Sequence, residues 1–291
     1  MYTEMLAAHC RLFEDTLPSF LPTVDGKKDT LIQAMAYACA DGGKRIRPVL
    51  VMEFCRLCCG DANRALPFAA AMEMIHSYSL VHDDMPCMDN SPLRRGKAAV
   101  HAAFGEDMAL LAGDALLNRA FETVFSAPVS AETVVKAGKL LADAAGVDGM
   151  VGGQCIDLES EGKSIDLETL QLLQDGKTAA LLRASCAMGV AIGGGTAQQL
   201  EAAATFGENI GLAFQMVDDV LDVTASAQTL GKPVGSDAEN EKVTYITLCG
   251  LENTKRAAAE KTEKALEALS AFGGDITHLA ALAQALLQRE K

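Results

Sequence analysis

Apolar residues recur every three to four positions along almost the whole chain, with Ala, Leu and Met filling the stripe. Hardly any stretch alternates Val, Ile or Thr with polar residues, as a half-buried strand would. The pattern predicts an all-α protein with helices over residues 3–17, 30–40, 48–58, 67–82, 106–125, 131–145, 149–158, 167–191, 196–223, 243–250, 253–272 and 276–288. Breaks fall at turn residues such as Asp41-Gly42-Gly43, Cys59-Gly60-Asp61, Glu161-Gly162, Gly193-Gly194-Gly195 and Gly273-Gly274. None is long enough to be a linker, so one domain over 1–291 is expected, a single large helical bundle. The longest irregular stretches, 86–96 and 224–240, each follow an Asp-rich helix segment, where long ordered loops tend to carry function.

Composition narrows the function classes. At 49% hydrophobic and 22% charged residues, the 291-residue chain can bury a sizeable core. Its 25 Lys plus Arg against 39 Asp plus Glu give a formal charge of -14, which argues against a nucleic-acid partner. The amino terminus carries Glu4, Glu14 and Asp15 without a basic and then apolar stretch, so no signal peptide is expected. The uncharged run 184–200 is interrupted by Gly193, Gly194, Gly195, Thr196, Gln198 and Gln199, so stable membrane insertion is not expected either and a cytoplasmic location follows. Nine cysteines, an odd number, read as reduced thiols. Cys55, Cys58 and Cys59 suggest zinc, but no second CxxC or close His pair completes four ligands, so helix packing is the better reading.

Two acidic clusters carry the candidate chemistry. In Phe214-Gln215-Met216-Val217-Asp218-Asp219-Val220-Leu221-Asp222, Asp218 and Asp222 share one helix face while Asp219 points to the side. Carboxylates crowded among apolar residues repel unless a cation or a shared proton relieves them. A hard divalent metal does so, and Mg²⁺ usually completes its octahedron with water and phosphate oxygens. The plainer alternative is a solvated helix face. A second set, Asp83, Asp84 and Asp89, closes another apolar helix at Pro86; Asp89 must be folded back by the loop to join the others. Basic groups suited to phosphate lie near turns: Lys44, Arg45 and Arg47 after Gly42-Gly43, Arg94-Arg95-Gly96-Lys97, and Lys177, Lys232 and Lys242.

The segments GGKRIRP, IHSYSLVHDDMPCMD, LRRGK, GGQCIDLESEG, GKTAALLR, FQMVDDVLD and LGKPVGSD, taken in this order, resemble the short-chain trans-polyprenyl diphosphate synthases, bacterial farnesyl diphosphate synthases above all. The resemblance implies an isoprenoid-synthase bundle around a central apolar cavity, normally homodimeric, using allylic and isopentenyl diphosphates. It implies about three Mg²⁺ ions per site with substrate bound, held by Asp83, Asp84 and Asp89 and, across the cavity, Asp218, Asp219 and Asp222. Arg94, Lys177, Lys232 and Lys242 would hold the allylic diphosphate, and Lys44, Arg47, His76 and Arg95 the isopentenyl diphosphate. Lys177, Thr178 and Gln215 would act in catalysis, the last two by facing the developing allylic cation. Tyr78, five residues before Asp83, resembles the position that stops chain growth, and the terminal Gln288-Arg289-Glu290-Lys291 resembles a basic tail over the isopentenyl site.

The product implied is farnesyl diphosphate, with geranyl or geranylgeranyl diphosphate as alternatives. Asn90-Ser91-Pro92 departs from the acidic residues common in relatives. Rival readings are a di-iron oxidoreductase, from the single Glu73-Met74-Ile75-His76, a terpene cyclase, and a non-catalytic partner subunit of a prenyl synthase. A di-iron site needs a second ExxH; a cyclase normally alters the second Asp motif; partner subunits typically lose one or both.

Overall fold

The computed structural model describes residues 3–40, 42–224 and 243–289. Its helices are α1 (Glu4–Thr16), α2 (Asp29–Cys39), α3 (Ile46–Cys59), α4 (Leu66–Asp83), α5 (Val100–Phe104), α6 (Glu106–Phe125), α7 (Ala131–Ala145), α8 (Met150–Ser160), α9 (Leu167–Gln174), α10 (Ala180–Gly193), α11 (Ala197–Thr224), α12 (Tyr245–Cys249), α13 (Leu251–Ala268) and α14 (Thr277–Leu287). The all-α expectation holds, and most predicted helices appear within two residues of their expected ends.

Two helices form the centre. On α4, residues from Phe68 to Ile75 are buried without a break, and α10 buries nearly every residue from Ala180 to Ile192. A helix that is apolar all round must be enclosed by others. Thus α4 packs on α3 and α6, while α10 packs on α3, α7 and α11. Small residues allow this approach: a side-chain carbon at Gly189 would lie 2.5 Å from the Val51 carbonyl oxygen, and one at Gly207 would lie 2.6 Å from that of Leu182. Cys55 is part of the same contact, buried on α3 with its Sγ 3.7 Å from that of Cys59.

The glutamate of the ExxH segment is engaged in the scaffold. Arg45, in the left-handed region at φ 45°, turns its guanidinium inward to donate to Glu73 from Nη1 and to the Cys39 carbonyl from Nη2 at 2.7 Å. Both members of the Arg45–Glu73 pair are buried, so Glu73 serves as a counter-ion that anchors the loop before α3.

Three features depart from the sequence pattern. The helix expected over 167–191 is split by a π-helical turn, Asp175–Ala179, between α9 and α10. The loop 86–96 runs into a two-stranded antiparallel hairpin, Leu93–Arg94 with Lys97–Ala98, followed by the short α5. The helix expected to reach 272 ends at Ala268 and tightens into a 3₁₀ turn, Leu269–Ala271. Lys232, Lys242 and most of the loop 224–240 lie outside the described residues, as do Glu290 and Lys291.

Replacing Glu73 by Ala leaves the buried Arg45 charge with only the longer contact of its Nε to Glu14 at 3.5 Å, which should cost about 3–5 kcal/mol of unfolding free energy. Denaturant titration of purified E73A against the parent protein measures it, and a loss below about 1 kcal/mol would show that the pair is not an anchor.

Candidate active site

The last turn of α4 sends its two consecutive aspartates in different directions. Asp83 faces a cavity of about 580 Å³ whose walls include Tyr78, His82, Met150, Gln154, Lys177 and Thr178. Asp84 is turned away and buried, accepting two hydrogen bonds of 2.7 Å from Nε and Nη2 of Arg94. Asp89 is folded back as required: its amide donates to the Asp83 carbonyl at 2.9 Å, and Asn90 makes the turn at φ 49°. Asn tolerates that left-handed conformation better than most residues, which gives the Asn90 departure a local role.

Gln154 and Asp157 occupy successive turns of α8 and meet the site from the opposite wall. Gln154 donates to Asp83 Oδ1 at 2.6 Å, and Lys177 donates to Asp157 Oδ2 at 2.5 Å. Lys177 and Thr178 ride on the π turn, a distortion often found at functional sites. Glycines bring the two walls together, since a side-chain carbon at Gly153 would lie 2.1 Å from the Lys177 amide nitrogen. Burial raises the Asp83 carboxyl above its usual range, helped by Asp89 and opposed by Lys177. Burial also disfavours the Lys177 ammonium, but Asp157, Asp83 and Asp89 together outweigh it and hold its pKa above the ordinary lysine value.

A second cavity of about 690 Å³ adjoins the first, sharing Arg47, His76, Leu80 and Thr178. Lys44, Arg94, Arg95, Gln215, Asp218 and Arg289 complete much of its wall. This concentration of cations in a chain of net charge -14 has the chemistry to meet an anion. Burial lowers Arg47 to about 10, still charged near neutrality, and its Nε is buried without a partner. Burial and the neighbouring arginines push His76 well below its ordinary pKa, so it offers a neutral imidazole. Gly42 and Gly43, both at positive φ, carry the loop past Arg95, which donates to the Gly42 carbonyl at 3.0 Å.

On α11, Asp218 reaches this cavity and pairs with Arg289 at 2.5 Å. Arg289 also stacks on Phe214, 3.8 Å from the ring centroid, and donates to its carbonyl at 2.8 Å. Asp219 is buried and accepts from the Tyr245 amide at 2.8 Å, tying the start of α12 to α11. Asp222 is buried one turn beyond Asp218.

The structure therefore brings Asp83, Lys177, Thr178, His76 and Arg47 around one cavity system, with Lys44, Arg94, Arg95, Gln215 and Asp218 on its second lobe; Asp89 is exposed, near enough for its charge to act on Asp83 and Lys177. Asp84 and Asp219 differ from the expected metal ligands in being committed to Arg94 and to a backbone amide. Among the described residues no three His, Cys, Asp or Glu side chains form a ready metal cage. Mg²⁺ usually takes one or two carboxylates and fills its shell with water and substrate phosphates. Sequence reasoning gave no role to Gln154 or Asp157; their i, i+3 spacing, which puts two polar groups on one face of α8, was the available signal.

Three comparisons extend the geometry. A family model described as polyprenyl synthetase matches residues 28–282. The large subunit 1 of a heterodimeric chloroplastic geranylgeranyl pyrophosphate synthase from Arabidopsis thaliana is 43% identical over 99% of this chain and 80% of its own length. An apo FPP/GFPP synthase from Zymomonas mobilis superposes with a TM-score of 0.86 at 36% identity, covering 97% of each chain. A Helicobacter pylori geranyltransferase complexed with magnesium and isoprenyl diphosphate does so with 0.83 at 32%, covering 97% of this chain and 95% of the other.

Removing the Asp157 charge leaves burial less opposed at Lys177, so in D157N the lysine pKa should fall and more of it should be neutral amine at about pH 9. Acylation of Lys177, followed by mass spectrometry at that pH, should run faster than in the parent and return toward the parent rate in D157E. Equal rates in all three proteins would contradict the assigned charge balance.

Proposed function

The chain belongs to the polyprenyl synthetase family and is a prenyl chain-elongation synthase, and we propose that it joins dimethylallyl or geranyl diphosphate head-to-tail to isopentenyl diphosphate to give farnesyl diphosphate. The observation carrying this reading is the adjoining pair of lobes, one apolar with Asp83 and Lys177 at its wall, the other ringed by cations.

In this reading one helical domain over 1–291 houses the whole reaction. Asp83, Asp89 and Asp218 would hold Mg²⁺, with Asp222 behind Asp218; the family is Mg²⁺-dependent. When bound, the metal would neutralise the diphosphate and favour its departure. Arg94 and Lys177 bind the allylic diphosphate, Asp84 holding the Arg94 fork and Asp157 keeping Lys177 charged. Lys44, Arg47, His76 and Arg95 bind isopentenyl diphosphate on the second lobe, with Arg289 able to join them. Thr178, at the junction of the lobes, and Gln215 direct oxygens toward the allylic cation. The isopentenyl double bond attacks that cation, and the released diphosphate takes the proton. Met150, Leu158 and Leu181 keep the lobe dry, protecting the cation from water.

Tyr78 supports the farnesyl product: it is only 7% exposed and lines the apolar lobe below Asp83. Geranylgeranyl diphosphate is the second reading, favoured by the name of the Arabidopsis relative. Both acidic sets support a catalytic chain over a non-catalytic subunit. A homodimer belongs to the same reading, supported by the exposed Leu110, Leu111 and Phe125 on α6 and Val135 on α7. So does a cytoplasmic location; no described helix is long and apolar enough to cross a membrane, and the Arabidopsis relative is named chloroplastic.

Incubated with dimethylallyl and isopentenyl diphosphates and Mg²⁺, the protein should yield mainly farnesyl diphosphate, lose activity with a chelator, and make longer products as Y78A. Chromatographic sizing of the dephosphorylated alcohols reads the outcome. Mainly geranylgeranyl product from the parent protein would establish the second reading, and folded protein that elongates nothing would refute the catalytic one.

A further inference from the structure

His82 lies one helical turn beyond Tyr78 on the same face of α4, and both line the apolar lobe. The two rings meet edge to face, with centroids 5.9 Å apart and planes at 75°. The imidazole is fixed from the other side by α6. Its Nε2 lies 3.1 Å from the Leu110 carbonyl oxygen, which makes Nε2–H the donor. It also fills a notch at Gly113, where a side-chain carbon would lie 2.0 Å from Nε2 and 2.4 Å from Cδ2. Every residue other than glycine at 113 would therefore compete for the space that the ring occupies.

We infer that His82 is a specificity-determining residue: seated in the Gly113 notch and held by the Leu110 carbonyl, it buttresses Tyr78 and so sets how deep a growing prenyl chain can reach. The inference rests on the prenyl-elongation reading above. A ring that stops an apolar tail must resist being pushed aside, and no hydrogen bond from the described residues holds the Tyr78 hydroxyl; the imidazole edge is the contact that limits its swing. Removing His82 gives the phenol room to turn and the lobe room to lengthen. Adding a methyl at Gly113 does the opposite, because α6 closes one side and the displaced imidazole must move toward the cavity.

Product sizing from dimethylallyl and isopentenyl diphosphates tests this in H82A, G113A, Y78A and Y78A/H82A. The expected results are about a tenfold rise in the ratio of longer to parental product for H82A, accumulation of geranyl diphosphate for G113A, and a double variant no longer in product than Y78A alone. Should H82A fold poorly, G113A reads the same contact from α6. Parental product lengths in both H82A and G113A, with elongation intact and Y78A lengthened, would overturn the role of His82 while leaving the elongation reading standing. A parent protein that does not elongate would overturn that reading and the inference together.

Discussion

Charge neutralisation around a largely apolar cavity is the constraint that orders this molecule. Carboxylates at the ends and middles of buried helices cannot stand close together unless cations meet them. The structure answers with paired groups: Asp84 with Arg94, Asp157 with Lys177, Asp218 with Arg289. Asp83, facing the cavity, is met by the Gln154 amide and by the field of Lys177. These pairs differ in exposure. Asp84–Arg94 is deep and bidentate, whereas Asp218 is partly exposed and its arginine lies near the end of the chain.

Backbone proximity makes this arrangement possible. Gly153 and Gly176 let α8 touch the π turn, so the side chains from both elements converge on the same few ångströms. The buried Arg45–Glu73 pair performs the corresponding service on the other side, fixing the Gly42-Gly43 loop from which Lys44 and Arg47 reach the anion lobe. The fold thus commits some charges permanently so that others can face the cavity.

The helical class and most helix positions were legible because apolar periodicity is a long-range, redundant signal, as with residues 106–125 and 131–145, which match α6 and α7 at both ends. The acidic and basic site residues were visible through motif spacing and resemblance. What periodicity could not supply was direction at helix ends. Asp83 and Asp84 are neighbours in sequence, yet only the tertiary position of Arg94, brought round by the hairpin, shows which faces the cavity. The π turn at Asp175–Ala179 was hidden for a similar reason, since its close packing against α8 exists only in the folded chain. Gln154 and Asp157 carried no distinguishing pattern until their partners on α4 and the π turn were placed.

On the proposed reading, the two acidic sets act on one diphosphate through shared metal ions. Calorimetric titration of inorganic diphosphate, with and without Mg²⁺, into the parent protein, D83N, D218N and the double variant tests it most directly. Mg²⁺-dependent binding, weakened in each single variant, with a coupling of at least about 1 kcal/mol between the two substitutions, is the predicted result. Binding that ignores Mg²⁺, or losses that simply add, would mean that Asp83 and Asp218 serve separate sites.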